Sequence, residues 1–169
     1  DFVNFCNAFE IPVVTLTAVK GFEANVRSEK AIAKAVAKLT YAFANADVPK
    51  INVLVGQAYG SAYVSMNSKS IGADITYAWP TASVGMMDAD MAVKIMYADE
   101  IAASSDVAAT ISAKTAEYQA LQSSVESAAA RGYVDTIINP EDTRKYIAAS
   151  LEMLYTKREI RFDKKHGTV

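Results

Sequence analysis

Apolar positions along this chain switch between two spacings, and the switches mark its elements. Phe2, Phe5, Cys6 and Phe9 recur at helical spacing and predict a first helix with an inward apolar face, closed ahead of Pro12. The run "VVTLTAV" that follows is nearly continuously apolar and rich in β-branched residues, as a buried parallel strand is. After Gly21-Phe22, Ser28 stands where a cap would open "EKAIAKAVAKLTYAFANA", a helix in which Ile32, Val36, Leu39 and Phe43 draw one stripe. Pro49 breaks that pattern and "KINVLVGQAY" predicts a second buried strand. A short helix over about 61–68 comes next, and then two strands in "DITYAWP" and "ASVGMM". From Asp88 the spacing is mostly helical, over 88–98, 105–131 and 141–157, with "YVDTIIN" as an intervening strand. Strands of the buried type alternating with helices predict an α/β fold around a parallel sheet with right-handed crossovers. No repeat, low-complexity tract or linker divides residues 1–169, which read as one domain.

Composition narrows this picture. With 51% hydrophobic and 21% charged residues, the 169-residue chain has the make-up of a globular domain with a sizeable core. A formal net charge of -2 gives no basic field for nucleic acid. A lone Cys6 makes no internal disulfide, no apolar run approaches the ~20 residues that span a bilayer, and no signal peptide opens the sequence. These features together read as cytoplasmic. The chain has no initiator Met and starts inside a helical pattern, so it reads as an N-terminally incomplete piece of a longer polypeptide.

The inventory of reactive side chains is thin. His166 is the only histidine and sits in the basic tail "DKKHGTV", while Cys6 belongs to an apolar helix face. A Ser-His-Asp or Cys-His arrangement would have to recruit that tail residue. Clustered zinc ligands are missing from the sequence, as are the glycine patterns of phosphate-binding loops. Asp88, Asp90, Asp99 and Glu100 gather in one segment, and such charge runs are mostly solvated helix faces rather than a Mg²⁺ site. Attention therefore falls on "GQAYGSAYVSM", where small residues stand at a strand-to-helix junction. Close packing explains them as well as chemistry does. The chemical reading is an oxyanion hole, because a helix start offers unpaired N–H groups and the positive end of a dipole.

Three longer phrases, "NAFEIPVVTLT", "VPKINVLVGQAYGSAYVSMNSKSIGADITYAWPTA" and "AARGYVDTIINPEDTRKYIAASLEMLYTKRE", run in order through nearly the whole chain. They resemble the carboxyltransferase subunit of biotin-dependent acyl-CoA carboxylases and decarboxylases. The wording of "NSKSIGADITYAWP" is most similar to the methylmalonyl-CoA decarboxylase and propionyl-CoA carboxylase branch. The resemblance implies a crotonase-like (ClpP/crotonase) fold of repeated β-β-α units, and a place in the C-terminal, biotin-side domain of a two-domain chain. It implies acyl-CoA as substrate, biotin on a biotin carboxyl carrier protein, and no metal in this half-reaction. Implied partners are the N-terminal carboxyltransferase domain of the same or a neighbouring subunit, further copies in a homo-oligomer, and for decarboxylases a membrane complex. A fragment lacking the acyl-CoA half would be inactive alone.

The family's turn Ala-Tyr-Gly-Gly-Ala-Tyr falls on Ala58-Tyr59-Gly60-Ser61-Ala62-Tyr63. The resemblance gives Gly60, Ser61 and Ala62 the oxyanion N–H groups that hold charge on biotin's ureido oxygen, with a second such hole for the thioester enolate. It places Gly21, Phe22, Tyr59, Tyr63, Val64 and Trp79 around biotin or substrate, the aromatics serving equally well as core. The chain departs from the family at Ser61, where a glycine is usual, at Lys20, where a proline is usual, and at Asp88 and Asp90, in place of a Met-Gly loop. Val64 stands where many carboxylases have Asp, at a position that senses acyl-chain size. Lys30, Lys34 and Lys38 form a ridge that reads as a solvated face ahead of a CoA or carrier contact. A non-catalytic assembly subunit and a biotin-independent crotonase-type acyl-CoA enzyme are the alternative functions.

Overall fold

The computed structural model describes residues 1–159; the predicted roles of His166 and of the tail after Glu159 lie outside the described residues. Helix α1 (Phe2–Ala8) leads into strand β1 (Val13–Val19), helix α2 (Val26–Asn45) and strand β2 (Lys50–Tyr59). The short α3 (Gly60–Ser65) and a 3₁₀ turn precede β3 (Ile75–Ala78) and β4 (Ser83–Gly85). Helices α4 (Ala89–Met96), α5 (Ala98–Ala103), α6 (Val107–Tyr118) and α7 (Val125–Ala130) follow. A single π-helical turn, Gln119–Ser123, interrupts the expected long helix between α6 and α7. Strand β5 (Thr136–Ile137) and helix α8 (Thr143–Met153) complete the described residues. All strand pairings are parallel, in the order β1-β2-β3-β5, with β4 on the C-terminal end of β2.

Strand β2 organises the core because it is central and apolar on both faces. Side chains alternate across a strand, so Ile51 and Val53 face one side, where Tyr77, Ile138 and the apolar stripe of α8 cover them. Leu54 and Ala58 face the other, against Tyr63 of α3 and Val125 and Ala128 of α7. On that same side Val13, Phe43 and Ala46 form a separate cluster with Val3 and Cys6 of α1. Between the two clusters lies buried polar material: Lys50, Asn52, Thr17 and Asn67. The Lys50 side chain is 0% exposed, and its Nζ donates to the Phe43 carbonyl at 2.8 Å. That carbonyl is among the last of α2, which have no partner within the helix.

Three expectations are corrected. Phe2, Phe5 and Phe9 are exposed, and the buried face of α1 is Val3 with Cys6, so the helix is rotated relative to the aromatic stripe. Spacing alone selects a face; here the smaller residues fit the shallow gap over Phe43. Strand β1 is half buried rather than buried, with Leu16 63% exposed, because among the described strands it pairs only with β2 and lies at the edge. The cap of α2 is Asn25, whose Oδ1 accepts the Ser28 N–H at 2.8 Å; Ser28 lies inside the first turn. Lys30, Lys34 and Lys38 are all exposed. No described helix is long and apolar enough to cross a membrane.

Candidate functional site

The junction of β2 and α3 is built around a backbone conformation that only glycine adopts readily. Gly60 has φ +61°, in the left-handed region. Strand β4 pairs Gln57, Ala58 and Tyr59 with Ser83, Val84 and Gly85, which brings the following loop, Met86–Asp88, against the turn. A Cβ on Gly60 would meet the Met86 carbonyl at 3.0 Å. The Tyr59 ring is buried and its hydroxyl pairs with Ser83 Oγ at 2.8 Å, so the turn is anchored from both strands.

Beyond that anchor the chain enters α3 with no side-chain cap. The first N–H groups of a helix have no partner within it. In α3 these belong to Gly60, Ser61 and Ala62. All three residues line a cleft of about 540 Å³, closed on its other sides by Lys20, Gly21 and Phe22 after β1 and by Met86, Met87 and Met91. Ser61 is exposed to this cleft and Ala62 is buried. Gly60 also borders a second, smaller cleft of about 280 Å³ on the other side of the turn. There Tyr63 and Val64 face Val84, Tyr118, Arg131 and Tyr133. Val64 is 38% exposed, with its side chain available to whatever enters.

Of the nine residues singled out from sequence, the fold therefore gathers eight around one turn: Gly21, Phe22, Tyr59, Gly60, Ser61 and Ala62 on one side, Gly60, Tyr63 and Val64 on the other. Trp79 is not among them. Its ring packs with Ile51, Val53 and Tyr77 over the opposite face of the sheet, and its indole N–H donates to Thr143 Oγ1 at 2.9 Å. Asp88 caps α4 by accepting the Asp90 N–H, and Asp90 pairs with Lys94 one turn on. The described residues contain no group of three or more acids, histidines or cysteines that would hold a metal. Met86 reaches the clefts just after β4, Tyr118 at the end of α6, and Arg131 and Tyr133 just after α7. Sequence spacing carried no signal for them, since they are 26 or more positions from Gly60 along the chain.

Tyr63, in the second cleft, has a displaced titration. Burial, and secondarily the neighbouring Tyr133, pushes its phenol up to about 12. The folded state therefore keeps a proton that the unfolded chain, with its tyrosines near 10, gives up. This contribution is fully present below pH ~10 and is lost as pH rises through about 12. Tyr63→Phe is expected to flatten the fall in stability across that window, and tyrosinate absorbance should lose one late-titrating group; an unchanged alkaline profile would contradict the assignment.

Comparison with known proteins bears on this arrangement. Residues 1–169 match the carboxyl transferase domain family model. The chain is 45% identical over 168 residues to the methylmalonyl-CoA carboxyltransferase 12S subunit of Propionibacterium freudenreichii subsp. shermanii, covering 99% of this chain and 32% of that one. It is 41% identical over 169 residues to the methylmalonyl-CoA decarboxylase subunit alpha of Propionigenium modestum, covering 99% of this chain and 33% of the relative. The chain thus spans about a third of the length of these relatives. Among solved structures, a transcarboxylase 12S hexamer with methylmalonyl-coenzyme A and methylmalonic acid bound superposes with a TM-score of 0.94 at 46% identity, over 98% of this chain and 32% of that one. The beta subunit of Pseudomonas aeruginosa geranyl-CoA carboxylase, at 22% identity and a TM-score of 0.80 over 96% of this chain and 32% of that one, shares the fold. The architecture is the α/β crotonase-like one. By sequence over its full length and by fold, the chain belongs to the carboxyl transferase domain family.

Proposed function

We propose that this chain forms the biotin-side portion of an acyl-CoA carboxyltransferase, which moves a carboxyl group between N-carboxybiotin and a short-chain acyl-CoA. The observation that carries the reading is the Gly60–Ala62 turn: a left-handed glycine, the uncapped start of α3, and a cleft on either side. A side chain at Gly60 would run into the Met86 carbonyl, so this close turn requires glycine there. When bound, biotin supplies the carboxyl group and a ureido oxygen that becomes negative as the group leaves. The N–H groups of Gly60, Ser61 and Ala62 would hold that oxygen, in line with oxyanion donors that are each worth about 3–4 kcal/mol. Phe22, Met86 and Met91 line the first cleft with apolar side chains that are exposed and free to contact a guest. Val64 and Tyr63 shape the second cleft, where size selection among propionyl-, methylmalonyl-, acetyl- and malonyl-CoA would be made.

The names of the relatives support both the carboxylating and the decarboxylating direction. The hexameric 12S relative supports a homo-oligomer, and the partners would be a biotin carboxyl carrier protein and the N-terminal carboxyltransferase domain. The test is exchange of labelled carboxyl between malonyl-type CoA thioesters and free biotin by the full-length protein. Exchange well above background is expected, and Ser61→Gly should stay within about fivefold of wild type because the replaced group is a side chain, not the N–H. Full-length protein that assembles yet exchanges nothing would refute the proposal and favour an assembly subunit.

A further inference from the structure

A polar row crosses the sheet beneath α3 and belongs to neither cleft. The parallel register sets Thr15 of β1 beside Asn52 of β2, and Asn52 beside Thr76 of β3. Asn67, two residues beyond α3, lies over the row with φ 55°. Asn52, Asn67, Thr17 and Thr76 are all 0% exposed. Thr15 Oγ1 and Thr17 Oγ1 both donate to Asn52 Oδ1, at 2.9 and 2.7 Å. Asn67 Nδ2 donates to Thr15 Oγ1 at 3.2 Å and to the Ile51 carbonyl at 3.3 Å. The carbonyl can only accept, so the Asn67 amide is oriented, with Nδ2 toward Ile51 and Oδ1 away.

Three atoms of this row have no hydrogen-bond partner among the described residues: Asn52 Nδ2, Asn67 Oδ1 and Thr76 Oγ1. Buried side-chain polar groups are nearly always partnered, and three orphans on one face of the sheet, with Thr76 in register beside Asn52 and Asn67 bonded over the row, call for a shared cause. The set is also complementary, comprising one donor, one acceptor and one hydroxyl able to do either. We propose that these three atoms form the seat of a single internal water molecule. It accepts from the Asn52 amide, donates to Asn67 Oδ1 and bonds the Thr76 hydroxyl, which gives it three partners, as buried waters typically have. So placed, it joins the far end of α3 to β2 and β3, and holds the short helix from the end opposite Gly60. This inference does not depend on carboxyl transfer.

The sign of one conservative substitution decides it. If a water bonds Thr76 Oγ1, Thr76→Val in the full-length protein strands that water and lowers the apparent melting temperature. If the hydroxyl has no partner, the same change removes an unsatisfied buried group and raises it. A fall is expected, accompanied by several-fold faster amide exchange in α3, while Thr76→Ser, which keeps the hydroxyl, preserves wild-type exchange there. A high-resolution crystal structure should show one ordered water within hydrogen-bond distance of all three atoms. A rise in melting temperature, or density in which Asn52 and Asn67 bond each other directly with no water between, would overturn the proposal.

Discussion

Gly60→Ala in the full-length protein is expected to lower the carboxyl-exchange rate by about two orders of magnitude and to destabilise the fold by about 2 kcal/mol. Two effects act together. An L-residue in the left-handed region costs roughly 1–2 kcal/mol, and Gly60 has φ +61°. The added methyl would also stand 3.0 Å from the Met86 carbonyl. That neighbour is backbone, tied through β4 to β2, so it yields only if the strand pairing moves. Relief comes instead from rotating the peptide that carries the first N–H groups of α3. Removing one oxyanion donor costs ~10²–10³ in kcat in well-studied sites, and the rate should fall much more than the apparent affinity. Steady-state kinetics and urea unfolding of the same variant separate the two effects. A near-normal rate in a variant that is measurably destabilised would show that the turn serves packing rather than chemistry.

The second large effect is expected far from the clefts. Lys50→Met should destabilise the protein by about 1–3 kcal/mol while leaving the geometry of the Gly60 turn intact. Lys50 is fully buried, and its amine satisfies the Phe43 carbonyl near the C-terminus of α2. Methionine replaces most of the stem but makes no such bond, leaving a buried carbonyl unpaired at ~1–3 kcal/mol. Lys50→Ala should be worse, since it also opens a cavity against Gly72, whose Cα region packs on the amine. Denaturant midpoints of the three proteins would rank them; equal midpoints would show that the amine contributes nothing.

How far the sequence could be read differs between the spine of the fold and its margins. The run Lys50–Tyr59 was legible to the residue, because a central strand is apolar on both faces, whereas the helix expected over about 61–68 starts one residue earlier, at Gly60, and ends at Ser65. The turn's chemistry was legible as a choice only, since small residues answer to packing and to ligands alike. Strand β1 misled because its β-branched residues look the same at an edge as in the middle of a sheet; only the pairing partners decide burial. The stripe of Phe2, Phe5 and Phe9 misled for a similar reason, in that spacing defines a face but not the direction it points. Trp79 was drawn toward the clefts by its type, whereas the alternation of β3 sends the adjacent ring of Tyr77, and Trp79 with it, to the far side. Asn52, Asn67 and Thr76 gave no warning at all, because a polar row across three strands comes from register and not from neighbours in the chain.

Gly60 borders both clefts, and this has a thermodynamic consequence. The partition between the two chambers is formed by Gly60 and Met86, which line both. A guest that presses on it from one chamber changes the width of the other, so the free energies of filling them are not independent. Whatever factor the first guest imposes on the affinity of the second, the second returns to the first. Under the proposed carboxyl transfer, the loading order of the two reactants can thus be set at the turn that separates the clefts.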